Sequence, residues 1–131
     1  MAKAIHTMIR VFDLEKSVDF YNKAFNLEVA DHFDFDDFAL VYLRNDENDF
    51  ELELTLNKDR AEIYTHGDGY GHVAVCVDDA NVEHMRFTKL ELDPTDVKEF
   101  YRDDSLMVRF FFVQDPDGYK IEVIERHGRF Q

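Results

Sequence analysis

One pattern is written twice in this chain of 131 residues. It begins with a strand, continues through a helix and returns to strands. Ile5-His-Thr-Met-Ile-Arg-Val11 reads as the first strand, and 13–25 follows as a helix. Leu14, Val18, Tyr21 and Phe25 fall at i, i+4, i+7 and i+11, the apolar stripe of an amphipathic helix, with Asp13 as its N-cap. Strand patterns come next at 29–35, 38–43 and 50–56. The second copy opens with the strand His72-Val-Ala-Val-Cys-Val77, and Asp78 and Asp79 introduce a helix over 80–91 with Ala80, Val82, Met85 and Leu90 as its stripe. Strands return at 108–113 and 119–124, joined by Asp115-Pro-Asp-Gly118, a type I turn signal. The copies start at His6 and His72, about 66 residues apart. The pattern predicts one α+β domain over 1–131 built from two tandem βαβββ modules: module one over about 1–57, a linker over about 58–70, and module two over about 71–126.

The repeat places four side chains in equivalent positions. His6 and His72 lie in the first strand of each copy, and Glu53 and Glu122 in the last. In Glu51-Leu-Glu-Leu-Thr-Leu56 the leucines alternate with Glu51, Glu53 and Thr55, so the carboxylates occupy the face opposite the apolar one. A single histidine in a strand is more often packed or hydrogen-bonded than a ligand, and a single glutamate usually faces water. Symmetric placement lifts these four above that default. His32, His66, His84 and His127 have no repeat-related counterpart and read as surface residues. Two neutral imidazoles and two carboxylates suit a divalent transition metal, and four protein ligands leave an octahedral ion two open positions for chemistry.

Composition narrows the partners. A net charge of −14 argues against nucleic acid and anionic membranes, which demand cationic surfaces. No apolar run approaches the ~20 residues of a membrane span. The first residues read as strand, not as a signal peptide, and the one cysteine, Cys76, permits no intrachain disulfide. A cytoplasmic location is the expectation.

His6-Thr-Met-Ile-Arg-Val11, Glu53-Leu-Thr-Leu-Asn57, Tyr70-Gly-His-Val73 and Asp115-Pro-Asp-Gly-Tyr-Lys-Ile-Glu122 together resemble the motifs of the glyoxalase I family, within the vicinal-oxygen-chelate superfamily. The resemblance runs in order over residues 5–125. Related dioxygenases and fosfomycin-resistance enzymes use His/His/Glu, and the epimerases have Gln at the second position, so Glu53 points to glyoxalase I. The resemblance implies the cupped mixed sheet of the glyoxalase/bleomycin-resistance/dioxygenase fold. It implies His6, Glu53, His72 and Glu122 as metal ligands, in a homodimer whose sites are shared between subunits. It implies isomerisation of the hemithioacetal of methylglyoxal and glutathione, the cosubstrate, to S-D-lactoylglutathione. Glu122 would be the base, with Glu53 as ligand and second catalytic carboxylate. Arg10 and Asn57 match positions that hold the γ-glutamyl end of glutathione. Tyr64 and Gly67 match linker positions. The short chain resembles the bacterial form most active with nickel or cobalt, with zinc possible.

The chain departs from the family pattern at 99–113, which is longer, acidic and aromatic, with Phe111 where an alanine is usual. The expectation there is a bulkier rim to the substrate site. Lys98, Arg102 and Arg109 are candidate contacts for the glycyl carboxylate. Two alternatives stay open: a related enzyme acting on a different thiol adduct or as an epimerase, and a non-catalytic dimeric sequestering protein like the bleomycin-resistance proteins. The intact ligand set argues against the second.

Overall fold

Alternation at the strand period gives each half a sheet with one face to bury. The structure, a computed structural model, describes residues 1–131. Its elements are β1 His6–Val11, α1 Leu14–Phe25, β2 Glu28–Asp34, β3 Phe38–Arg44, β4 Glu51–Asn57, β5 Val73–Val77, α2 Ala80–Lys89, β6 Lys98–Arg102, β7 Ser105–Gln114 and β8 Lys120–Glu125. The chain divides into two compact units, Met1–Thr65 and His66–Gln131. Each holds one four-stranded mixed sheet, ordered β1-β4-β3-β2 in the first unit and β5-β8-β7-β6 in the second. In both, the first strand pairs parallel with the last and the remaining pairs are antiparallel. This is the α+β fold of two βαβββ modules. No helix is long and apolar enough to cross a membrane.

In the first unit the apolar face of the sheet is Ile9, Val11, Ala39, Val41, Leu43, Leu52 and Leu54, all buried. Full burial of one such side chain contributes about 1.5–3 kcal/mol. Asp13 caps α1 by accepting from the Lys16 N–H at 3.1 Å. The helix ends at Asn26, which adopts φ 54° and donates to the Asn22 carbonyl; asparagine tolerates that left-handed cap. The buried face of α1 is Ser17, Phe20, Tyr21 and Ala24, so the expected stripe is rotated and only Tyr21 of it is fully inside. Small Ser17 and Ala24 permit close approach, and Leu14, Val18 and Phe25 flank the contact half-buried.

In the second unit Asp79 caps α2, accepting from the Val82 N–H at 3.0 Å. Here the expected stripe fails. Ala80 and Phe87 are buried, whereas Val82, Met85 and Leu90 are exposed. Phe87 and the half-buried His84 meet Phe111 of β7 edge-on, at 5.6 and 5.3 Å. Phe111 is completely buried on this helix-side face. Phe111 therefore fills the core and is not part of a rim, while Phe100 and Tyr101 of the same segment are exposed.

Strand β6 escaped the sequence pattern because all five of its residues are exposed at a sheet edge. It joins β7 through Asp103 and Asp104, both at positive φ (51° and 61°), with Arg102 facing Ser105 across the turn. Positive φ at both central positions defines a type I′ hairpin, normally signalled by glycine, which is missing here. At the next hairpin, β7–β8, Asp115 receives the Gly118 N–H at its carbonyl, and its carboxylate receives the Asp117 and Tyr119 N–H groups. His66 is not a surface residue. Its ring lies flat on Tyr119 at 4.1 Å, and its Nε2 is buried. His84 also has a buried Nε2, so neither histidine matches the surface reading.

Candidate metal centre

Strand register decides what faces what. In the first unit Met8 lies opposite Glu53, and Tyr42 lies opposite Glu53 on the other side. His6, two residues before Met8, shares that face and brings Nε2 to 3.0 Å from Glu53 Oε2. Glu53 is buried, only 8% exposed, whereas its neighbour Glu51 turns to Arg44 at 3.9 Å. The Tyr42 hydroxyl donates to Glu53 Oε1 at 3.1 Å, and the Tyr42 ring meets the His6 ring edge-on at 5.8 Å. Partial burial pushes the Tyr42 phenol above its usual pKa, and the bond to Glu53 pushes it further.

The second unit repeats the arrangement. His72 Nε2 lies 2.9 Å from Glu122 Oε2. Phe112 faces Glu122 across β7 and β8 and meets the His72 ring edge-on at 5.4 Å. The hairpin at 115–118 sets this register, which is how Asp115 positions a carboxylate seven residues on. The sequence reading missed Tyr42 and Phe112. Both sit in the strand hydrogen-bonded to the ligand strand, at matching places in the two copies, and aligning the repeats would have found them.

Each unit thus brings together one imidazole and one carboxylate, and neither gathers a cluster of three or more His, Cys, Asp or Glu. The donors fit a divalent transition ion. Two ligand atoms each about 2.1 Å from one ion, at right angles, lie about 3 Å apart. Both pairs have that spacing. Glu53 offers Oε2 while Tyr42 occupies Oε1. His6 and Glu53 could contribute to a metal site in the first unit, and His72 and Glu122 in the second.

The other site residues divide. Arg10 lies opposite Thr55, and Asn57 lies two residues further along β4, so both are on the His6–Glu53 face. The Asn57 amide donates to the Tyr64 hydroxyl oxygen at 2.9 Å, and Arg60 lies over the Tyr64 ring at 4.3 Å. On β6, Lys98 pairs with Phe110, on the Glu122 face of the second sheet. Arg109 is on the opposite face and is engaged with Glu99 at 2.8 Å and with Glu125. Glu125 also accepts the Ala80 N–H at the start of α2. The Tyr101 hydroxyl and then Arg109 hold the Glu99 carboxyl below its usual pKa. Arg109 thus links β6 to β8 through two carboxylates.

Arg109→Ala should lower Tm by on the order of 5 °C, because two carboxylates lose their charged partner, Glu125 at the start of α2 and Glu99 on β6. A lowered carboxyl pKa stabilises above the ordinary carboxylate range and ceases to as pH falls through the folded value. The difference from the parent should accordingly shrink in acid. Thermal melts across pH check this; a raised KM at unchanged Tm would return Arg109 to the substrate.

The profile of the Glyoxalase/Bleomycin resistance protein/Dioxygenase superfamily matches residues 3–123, and the chain belongs to that superfamily. Within it, the chain is 38% identical over 128 residues to the lactoylglutathione lyase of Neisseria meningitidis serogroup A, covering 95% of this chain and 91% of the relative. It is 35% identical to the lactoylglutathione lyase of Haemophilus influenzae, with 92% and 90% covered. Among solved structures, the trypanothione-dependent glyoxalase I of Leishmania major superposes with a TM-score of 0.74 at 34% identity, over 95% of this chain and 87% of that one.

Proposed function

We propose that this chain is a lactoylglutathione lyase, isomerising the hemithioacetal of methylglyoxal and glutathione to S-D-lactoylglutathione. The observation that carries the reading is the matched His–Glu pair in each unit, at 3.0 and 2.9 Å. Metal dependence is general to the family. When bound, a divalent cation supplies positive charge to the substrate oxygens as negative charge develops on them. The site residues do the rest. Glu122 takes the C–H proton from the carbon bearing sulfur. The bonding electrons move toward the adjacent carbonyl, giving an enediolate, and the proton returns to the neighbouring carbon. The hydroxyl proton of the first carbon passes to the oxygen of the second, so the first becomes the thioester carbonyl and the second a secondary alcohol, and no external oxidant or reductant is needed. His6, His72 and Glu53 would hold the cation. Arg10 and Asn57 anchor the γ-glutamyl end, where the arginine fork suits a carboxylate. Lys98, on the Glu122 face, is the better placed cation for the glycyl carboxylate.

Two donors per unit are fewer than the three protein ligands of a typical catalytic metal site. The pairs must therefore combine, and the resemblance to glyoxalase I supports a homodimer in which each site takes one pair from each subunit. Nickel or cobalt is favoured as the metal, zinc is usable, and the protein acts in the cytoplasm without nucleic-acid or membrane partners.

A second reading concerns the thiol. Likeness to a trypanothione-dependent enzyme at 34% identity supports an adduct of a thiol other than glutathione. The test uses metal-free protein reloaded with nickel and hemithioacetals of glutathione, trypanothione and simpler thiols. Turnover of the glutathione adduct, dependent on nickel, is expected. Preference for another adduct would replace the thiol, and inactivity with all of them despite stoichiometric nickel would overturn the activity.

A further inference from the structure

The two half-sites share one plan, and they differ in the strand residue opposite the carboxylate, Met8 against Ala74, and in one hydroxyl. Each has an imidazole bonded to a carboxylate Oε2 and an aromatic ring edge-on to that imidazole. In the first unit the ring belongs to Tyr42, whose hydroxyl takes the second carboxylate oxygen of Glu53. In the second it belongs to Phe112, which has nothing to offer Glu122. Both oxygens of Glu53 are held by side chains of its own unit, whereas Glu122 is held by His72 alone. Burial follows the same order, with the Glu53 side chain 10% exposed and that of Glu122 17%. The Tyr42 ring is itself braced edge-on by Phe33 at 6.1 Å, so the hydroxyl is delivered from a fixed direction.

We infer that Tyr42 is a positioning residue that pins Glu53 as the standing ligand, and that Phe112, by lacking the hydroxyl, leaves Glu122 the mobile carboxylate. The inference rests on the metal-centre reading above. Its physical basis is that a hydrogen bond to the outer oxygen of a ligating carboxylate fixes its orientation, while a carboxylate that must leave its ligand position to take a proton is slowed by such a bond. A duplicated fold supplies two equivalent acids, and a tyrosine in one copy assigns them different tasks.

Two variants separate this from simple packing. Tyr42→Phe removes the one oxygen and keeps the ring. Nickel titrated calorimetrically into metal-free Tyr42→Phe should bind on the order of 10-fold more weakly than to the parent. Phe112→Tyr sets a hydroxyl opposite Glu122. It should lower kcat on the order of 10-fold at unchanged KM, with nickel binding retained or tighter. A purely structural Tyr42 would move the melting temperature and leave nickel affinity within about twofold of the parent, which overturns the pinning. Unchanged kcat in folded Phe112→Tyr overturns the division of labour. Absence of nickel binding by the parent would instead bring down the metal centre itself, a failure distinguishable from these two.

Discussion

Glu122→Gln should lower kcat by about a hundred- to ten-thousandfold, the range that a positioned general base contributes, while nickel still binds. The amide keeps a carbonyl oxygen that can coordinate and keeps the side chain's volume. It gives up the negative charge and the ability to accept a proton. His72 retains a hydrogen-bonding partner at the site it now shares with Glu122 at 2.9 Å, so the half-site should not collapse. Paired measurements decide the matter: nickel titration into metal-free protein, and steady-state kinetics of the reloaded enzyme. Lost turnover with metal retained identifies Glu122 as the base. Lost turnover with lost metal says only that a ligand is gone. Full turnover places the base elsewhere, and Glu53→Gln becomes the next variant to measure.

The reason this prediction can be stated for Glu122 lies partly in the sequence and partly beyond it. The repeat is legible because each copy opens with a strand and an aspartate-capped helix, features set by local side-chain chemistry. The two histidines and two glutamates are legible as equivalent positions. Alternation could not choose Glu53 over Glu51, because residues two apart share a face. Equivalent placement with Glu122 in the repeat makes that choice in the sequence, and in the fold it is made by Tyr42 and Arg44, each drawing one carboxylate to itself. The α2 stripe misled because exposed Val82 and Met85 mimic a buried face, while Ala80, Phe87 and the half-buried His84 carry the contact. An edge strand with no buried side chain and a turn without glycine gave β6 no signal at all.

Phe111→Ala should destabilise the protein by about 3–5 kcal/mol, the cost of emptying a buried aromatic site that its neighbours cannot refill. In the sequence, Phe110-Phe-Phe112 is an apolar run with no alternation, so it does not announce which ring faces which side. The answer propagates from the hairpin. Gln114 pairs with Lys120, hence Phe112 with Glu122, and Phe111 must take the other face with Val123. There it is fully buried, edge-on to Phe87 and His84. Loss of the ring removes those contacts and leaves two aromatic edges facing a void beside a helix of only ten residues. Denaturant unfolding monitored by circular dichroism measures the cost, and KM for the thiol adduct provides the control. A large loss of stability at unchanged KM places Phe111 in the core; a stable variant with altered KM, or a switched thiol preference, would put the ring at the substrate rim after all.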